Sequence, residues 1–421
     1  MRIAEVYVDG FKNIVDTRIK FNDVTCLISP NNFGKSNLLK AIMNGFAFIR
    51  STSNDNRRFF SQRESMPLLK TMQETPYSFE IVLNDETKTI SYGFSYNWDT
   101  SGHGYGMVTE EHLKVKESGA RKPRTCLLRN HPMRCRYLIS SHSSSMDGLD
   151  VPVDQLAFAW LARTKKVFFS GILEAIASCS MYIDYGNDPI SSLVLSIPDK
   201  VQPYVVEDSL ENVLCDFFMA DPHNKMNLLE AMKSMFPDVI DIAASSGVVQ
   251  LVNGIPTFER RVPFPGETRT SIVSVSLKNY ERPLSLKLMS SGFVRVLFFL
   301  INLFQAQKRD GILLAFEEPE NTIHPGLLAN FVEHIKAINE RAAIILSSHS
   351  PFIVNSIDPT AIYVGLPNEN GTASFAPFKK SKEKAMSSGA SDFGLTMGSY
   401  IFELLGGDDY LKSMLASYLE K

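Results

Sequence analysis

No apolar run in this 421-residue chain is long enough to cross a bilayer. The longest, Val296 to Phe304, falls well short of the roughly 20 residues a spanning helix needs. No charged and apolar leader with a cleavage site opens the chain; strand-like sequence follows Met1 at once. The five cysteines (Cys26, Cys126, Cys135, Cys179, Cys215) include no C-x-x-C pair, and such a scattered set is expected of reduced thiols in a cytoplasmic protein. No Cys/His set has zinc spacing, and no Ser-His-Asp order stands out. A heptad pattern is nowhere sustained, which excludes a long coiled coil, and there is no internal repeat. Neither charge dominates: 43 Lys and Arg against 46 Asp and Glu give a net charge of −3. Any nucleic-acid binding would therefore need a local basic patch.

What is present is an ordinary globular composition, 44% hydrophobic and 21% charged. At about 150 residues per domain the length predicts two or three domains. The N-terminal segment reads strand, turn, strand, loop, helix: Ile3 to Val8 alternates, Val24 to Ile28 is a short buried-strand run, and Leu38, Leu39, Ile42, Met43 and Phe46 form a helical stripe. Phe79, Ile81 and Leu83, then Ile90, Tyr92, Phe94 and Tyr96, flank Asn84-Asp85-Glu86 as a hairpin. The basic run Arg121 to Arg136 could track a phosphate backbone, but its sparse aromatics favour a solvated loop. Ser140 to Ser145 reads as a mobile loop. Helical signals fill about 153 to 242, and strands return from Val248 to Leu286. Helix Phe293–Phe304, strand Ile312–Phe316, helix Gly326–Ile338 and strand Ala343–Ser347 then alternate, as in a largely parallel sheet. The lysines 379, 380, 382 and 384 run into Ser387-Ser388-Gly389, which reads as a solvated loop.

Four stretches carry chemistry. Ser29-Pro-Asn-Asn-Phe-Gly-Lys-Ser36 lies between a strand and a helix, the context in which backbone N–H groups and a helix N-terminus surround phosphates. There Lys35 would reach the β- and γ-phosphates and the Ser36 hydroxyl would ligate Mg²⁺. Ser29 stands where the G-x-x-x-x-G-K-[ST] pattern has its first glycine, and its Cβ is expected to narrow the loop or slow turnover. Ile312-Leu-Leu-Ala-Phe-Glu317-Glu318-Pro319-Glu320 is an apolar strand ending in acids. Glu317 is assigned to Mg²⁺ and its water shell, and Glu318 to polarising the attacking water. His349, after the strand Ile344–Leu346, is placed to contact a γ-phosphate and sense its presence. Met289-Ser290-Ser291-Gly292 opens a helix, either as a plain N-cap or also as a second anion site facing another subunit's nucleotide.

Taken together these stretches resemble the ABC-type ATPase heads of the OLD (overcoming-lysogenization-defect) family, which also includes the ATPase subunits of bacterial anti-phage systems such as Septu. Asp9-Gly-Phe-Lys-Asn-Ile14 is similar to that family's first strand and turn, Pro30 to Asn37 to its Walker A segment, and Phe236-Pro-Asp-Val-Ile-Asp241 to a pre-signature segment. Met289–Gly292 resembles the signature, Glu317-Glu-Pro-Glu320 Walker B, Ile323-His-Pro325 the D-loop, and Ser348-His-Ser-Pro351 the H-loop. Met289 replaces the usual signature leucine. The resemblance covers about 1–100 and 236–365. It implies an α/β P-loop NTPase fold of the ABC/SMC-head type, with a mixed sheet plus a β lobe. On this reading 1–135 is the N-terminal part of the head, 136–235 a mainly helical insertion, and 236–421 the C-terminal part. It also implies that ATP is held by Asn31, Asn32, Gly34, Lys35, Ser36 and Asn37, with Lys12 near the adenine. In a head-to-tail dimer, Ser290 and Gly292 of the other subunit would close over that ATP, with Glu318, His349 and Lys35 as catalytic residues.

Nuclease members of the family carry a Toprim domain. After His349 there is no Glu plus Asp-x-Asp metal set, and Asp408-Asp409 is isolated. A nuclease or toxin activity is therefore expected from a separate partner protein. Three functions stay open. The first is a Mg²⁺-dependent ATPase, a homodimer or higher homo-oligomer, that controls such an effector in anti-phage defence. The second is a nucleotide-clamped scaffold caging an effector with little turnover, which Ser29 favours. The third is a RecF- or SMC-like DNA-repair ATPase, disfavoured by the charge, the missing coiled coil and the Glu-Glu-Pro-Glu ending. Nucleic acid stays open as a partner, and a membrane is not expected.

Overall fold

A computed structural model of the chain describes residues 1–31, 33–50, 66–67, 69, 72, 74–98, 106–143, 145–164, 167–184, 205–206, 209–368 and 370–420. Its contacts divide it into two compact units. The first comprises Met1–Met181, Arg309–Ala315 and Glu340–Lys421; the second comprises Tyr182–Lys308 and Phe316–Asn339.

The first unit begins with β1 (Arg2–Asp9), β2 (Thr17–Lys20), β3 (Thr25–Ile28) and helix α1 (Lys35–Arg50). Six strands follow: β4 (Tyr77–Asn84), β5 (Lys88–Asn97), β6 (Met107–Glu117), β7 (Arg124–His131), β8 (Arg134–Leu138) and β9 (Met146–Asp150). After them come α2 (Ala157–Thr164), α3 (Ser170–Ser178) and β10 (Ser180–Asp184), whose last three residues belong to the second unit. An eight-stranded sheet in the order β2-β1-β4-β5-β6-β7-β8-β9 is the β lobe, and the hairpin expected around Asp85 is its β4–β5 turn. The alternation of Tyr77, Phe79, Ile81 and Leu83 gives that sheet one buried face. Against it pack α1 side chains, with Phe46 and Phe79 ring centroids 5.4 Å apart and Phe48 and Phe94 4.9 Å apart.

In the second unit β11 (Val205–Val206), α4 (Leu210–Ala220) and α5 (Pro222–Met235) precede β12 (Val239–Val252), β13 (Ile255–Glu259), β14 (Thr268–Leu277) and β15 (Leu284–Ser285). Helix α6 (Ser291–Ala306) buries residues on all sides, as an apolar helix must. Then come β16 (Ile312–Glu317), whose residues Ile312–Ala315 belong to the first unit, and α7 (Pro325–Ile338). Phe316 is the hub of the second unit's core, its ring 4.9 Å from Phe299 and 5.4 Å from Phe331.

The chain returns to the first unit with β17 (Ala343–Ser347), α8 (Pro351–Asn355), β18 (Ile362–Pro367), β19 (Ala373–Pro377), α9 (Glu383–Asp392), α10 (Met397–Gly406) and α11 (Asp409–Tyr418). A six-stranded sheet runs β10-β16-β17-β3-β18-β19. Its β17 and β18 lie parallel to β3, and β19 is antiparallel to β18. Strands β3 and β17 are buried at every residue, which is why they read as unbroken apolar runs. The expected α/β architecture, a mixed sheet plus a β lobe, is the one observed.

Several expectations need correction. The Arg121–Arg136 run is not a loop: most of it is the β7–β8 hairpin, and Arg129 is buried. The Ser140–Ser145 loop is tied down by Arg124, whose guanidinium donates to the carbonyls of Ser140, Ser141 and Ser143; Ser144 lies outside the described residues. The lysine run at 379–384 folds into a short turn and α9, because Met386 and Ala390 are buried and anchor that helix. The described residues of 136–235, read as a mainly helical segment, hold α2, α3, α4 and α5 with the short strands β9, β10 and β11, and β8 spans position 135/136. Strands this short, one reading Met-Asp-Gly-Leu-Asp, carry too few apolar residues to show alternation. Among the described residues no helix is long and apolar enough to cross a membrane. All five thiols are buried, and burial pushes Cys126 up to about 11 and Cys135 and Cys179 up to about 12.

Candidate nucleotide-binding site

Within the first unit the phosphate loop joins β3 to α1, as the sequence predicts. Ser29 is fully buried and its hydroxyl donates to the Pro30 carbonyl at 3.0 Å, so the side chain that replaces glycine is absorbed inside the loop's own backbone. Asn31 is exposed; Asn32 lies outside the described residues. Gly34 has φ +109, where an L side chain is strained, and a Cβ there would meet Ile14 Cδ1 at 3.1 Å and Ala373 Cβ at 3.2 Å. Its carbonyl receives the Leu38 N–H at 2.7 Å, opening α1. We expect Gly34→Ala to cost about 1–3 kcal/mol of stability and to weaken ATP binding. Urea denaturation and nucleotide titration check this; an unchanged midpoint would show that the loop tolerates a Cβ.

Lys35 is the first residue of α1 and only 6% exposed. Its Nζ lies 2.5 Å from His349 Nε2. An ammonium can only donate, so in this contact Nε2 is the acceptor and the imidazole proton sits on Nδ1. His349 arrives there because β17 runs parallel to β3 with Ser347 opposite Leu27, and the Ser348 N–H donates to the Leu27 carbonyl at 3.0 Å. Two parallel strands thus deliver their following loops to the same edge, where ligands of α/β sheets bind. Ser36 is exposed at the start of α1. The Asn37 amide donates to Asn13 Oδ1 at 2.8 Å, fixing the tight Gly10–Ile14 turn beside the helix start. Lys12 in that turn is left-handed at φ 53, with its ammonium 5.9 Å from the Phe11 ring centroid.

Within the second unit Glu317 ends β16 and Glu318 follows with φ 48 and ψ 60. A left-handed non-glycine residue costs about 1–2 kcal/mol, so its surroundings must hold it. The Asn321 amide donates to Glu318 Oε2 at 2.9 Å, and Arg295 of α6 donates to the carbonyls of both Glu317 and Glu318. Ser290 is the N-cap of α6, accepting the Phe293 N–H at 3.2 Å, a cap common to both readings of this segment. Gly292 is required by close approach: a Cβ would lie 2.6 Å from the Thr322 carbonyl. Phe236, in the pre-signature segment, caps α5 and sets its ring 5.0 Å from that of Phe293. His324 of the D-loop segment caps α7, its Nδ1 accepting the Gly326 N–H at 3.1 Å.

The sequence reading missed Asn13, Asp184, Arg295, Asn321 and Thr322. Arg295 alone left a signal, a single cation inside the otherwise apolar helix that begins at Phe293. Among the described residues no group of three or more His, Cys, Asp or Glu is placed to hold a metal ion.

A family model described as "AAA domain, putative AbiEii toxin, Type IV TA system" matches residues 218–355. Curated proteins give no match. Among solved structures, the SMC head domain from Thermotoga maritima is similar at 13% identity and TM-score 0.45, over 90% of this chain and 100% of that one. The SmcHead bound to the C-winged helix domain of ScpA gives 14% and 0.46, over 92% of this chain and 100% of that one. An Smc head domain with an extended coiled coil, bound to the C-terminal domain of ScpA from Pyrococcus furiosus, gives 12% and 0.44, over 93% and 99%. The matched segment is about a third of the chain and holds Arg295, Glu317, Glu318 and His349, while the Ser29–Ser36 loop lies upstream of it.

Proposed function

We propose that this chain is a Mg²⁺-dependent ATPase that dimerises head-to-tail around ATP and controls a separate effector, a nuclease or toxin, in bacterial anti-phage defence. The observation that carries the enzymatic part is the buried Lys35 ammonium at the start of α1, held against His349. A helix N-terminus with a lysine there suits the phosphates of a nucleotide. The strands β17 and β3, which precede His349 and the phosphate loop, are parallel neighbours in one sheet, and this supports a shared role.

In this reading Lys35 donates to the β- and γ-phosphate oxygens, and the backbone from Asn31 to Asn37 lines the phosphates. Ser36 and Glu317 would hold a Mg²⁺, which would supply positive charge to the phosphoryl oxygens. Glu318 orients and polarises the attacking water, with Asn321 fixing its carboxylate. A γ-phosphate that draws the Lys35 ammonium takes a donor away from His349, so the H-loop responds to occupancy. Lys12 stands beside the base, and Ser290 and Gly292 of a second copy close the site. The role in defence rests on the family resemblance.

Glu318→Gln tests turnover. It keeps the size and the hydrogen-bonding oxygen but removes the charge, so hydrolysis should fall by about 100-fold or more while ATP binding persists and the ATP-bound dimer accumulates on size-exclusion chromatography. Wild-type hydrolysis by this variant would remove Glu318 from the mechanism and leave the nucleotide as a clamp.

A further inference from the structure

Arg295 is 3% exposed on α6 and uses its planar fork in four directions. Nε donates to Asp184 Oδ2 at 2.8 Å, Nη1 to the Glu318 carbonyl and Thr322 Oγ1 at 3.1 Å each, and Nη2 to the Glu317 carbonyl. Its guanidinium also covers the Phe316 ring, 4.3 Å from the centroid. In an extended chain successive residues face opposite sides. Two consecutive carbonyls meet one cation only if the backbone turns sharply between them, and the left-handed Glu318 is that turn. Asp184, 5% exposed, is the carboxylate that accompanies this cation into the core.

We infer that Arg295 is a positioning residue for hydrolysis: it holds the acidic turn in its left-handed form and so aims the Glu318 carboxylate, without touching nucleotide itself. This rests on the proposed ATPase reading and extends it. Lysine cannot substitute, because a single ammonium cannot span Asp184, two carbonyls and a hydroxyl in one plane.

The test uses the full-length chain, with Arg295→Lys and Thr322→Val made in both the wild-type and Glu318→Gln backgrounds. Phosphate release gives kcat and KM, a fluorescent ATP analogue gives affinity, and circular dichroism checks the fold. For Arg295→Lys we expect kcat to fall about 100-fold with KM and affinity unchanged, and no further loss when Glu318 is already glutamine, since the arginine acts through that side chain. Thr322→Val, which removes one acceptor and keeps the ion pair, should lower kcat about 10-fold and serves if Arg295→Lys does not fold. An unchanged kcat in a folded variant overturns the inference, as does a loss that multiplies with Glu318→Gln. Wild-type hydrolysis no greater than that of Lys35→Ala would instead overturn the ATPase reading itself.

Discussion

Replacing Lys35 with alanine is expected to lower Mg²⁺-dependent ATP hydrolysis by about 1000-fold while leaving the fold intact. Lys35 is 94% removed from solvent at the mouth of a helix whose own partial charge is also positive, a costly place for a cation that serves only packing. Its loss relieves that cost, so the melting temperature should hold or rise, and the deficit should appear in phosphate release alone. Lys35→Met, which keeps the aliphatic stem, should lose as much activity as alanine. Hydrolysis retained by both variants would mean that the β3–α1 loop does not hold the reacting phosphates.

The second large effect is structural. Glu111 and Arg129 face each other across β6 and β7, each 1% exposed, with Arg129 Nη1 3.9 Å from Glu111 Oε2. The carboxylate also receives the Ala157 and Phe158 N–H groups at 2.6 and 2.9 Å, capping α2, and the Tyr92 hydroxyl at 3.0 Å. Arg129 in turn donates to the carbonyls of Pro132, Pro152 and Gln155. Arg129→Met leaves three carbonyls without that donor and a buried carboxylate without its cation, and should cost about 3–5 kcal/mol in urea denaturation. Burial pushes Glu111 up, opposed by the N–H groups of Phe158 and Ala157 and by Arg129; without the arginine it rises further. A folded state that binds the proton more tightly gains stability as pH falls toward the ordinary carboxylate range. The variant should therefore be least stable at high pH and recover part of its loss in mild acid. A pH-independent deficit, or none, would show that the pair is not what secures α2 to the sheet.

The same pair shows what was legible in the sequence. The phosphate loop, its helix, the β4–β5 hairpin and strands β16 and β17 were readable because each is a local pattern: a period of two, a period of 3.6, or an apolar run with turn residues at its ends. Lys35, Ser36 and the two glutamates stood out at the ends of such patterns. Arg129 did not, because what makes it a core residue is a glutamate on the neighbouring strand; in sequence it is one more charge in a basic run. Arg295 and Asp184 are likewise joined only by the fold. Ser387-Ser388-Gly389 reads as a break, yet Gly389 lies inside α9 where a Cβ would meet the Tyr400 ring, so packing rather than propensity decides that helix.

The pairing of β3 has a consequence for biogenesis. Thr25 lies opposite Ile345, and Cys26 opposite both Leu346 and Ile362, whereas β4 through β8 each pair with the strand next in sequence. On the ribosome the neighbour-paired meander can assemble as it emerges, while the strand that leads into the Lys35 loop waits for almost the entire polypeptide before it acquires flanking strands. A nascent or truncated chain would thus hold its neighbour-paired strands before β3 is flanked, so on the proposed reading competence to bind nucleotide would come late in synthesis.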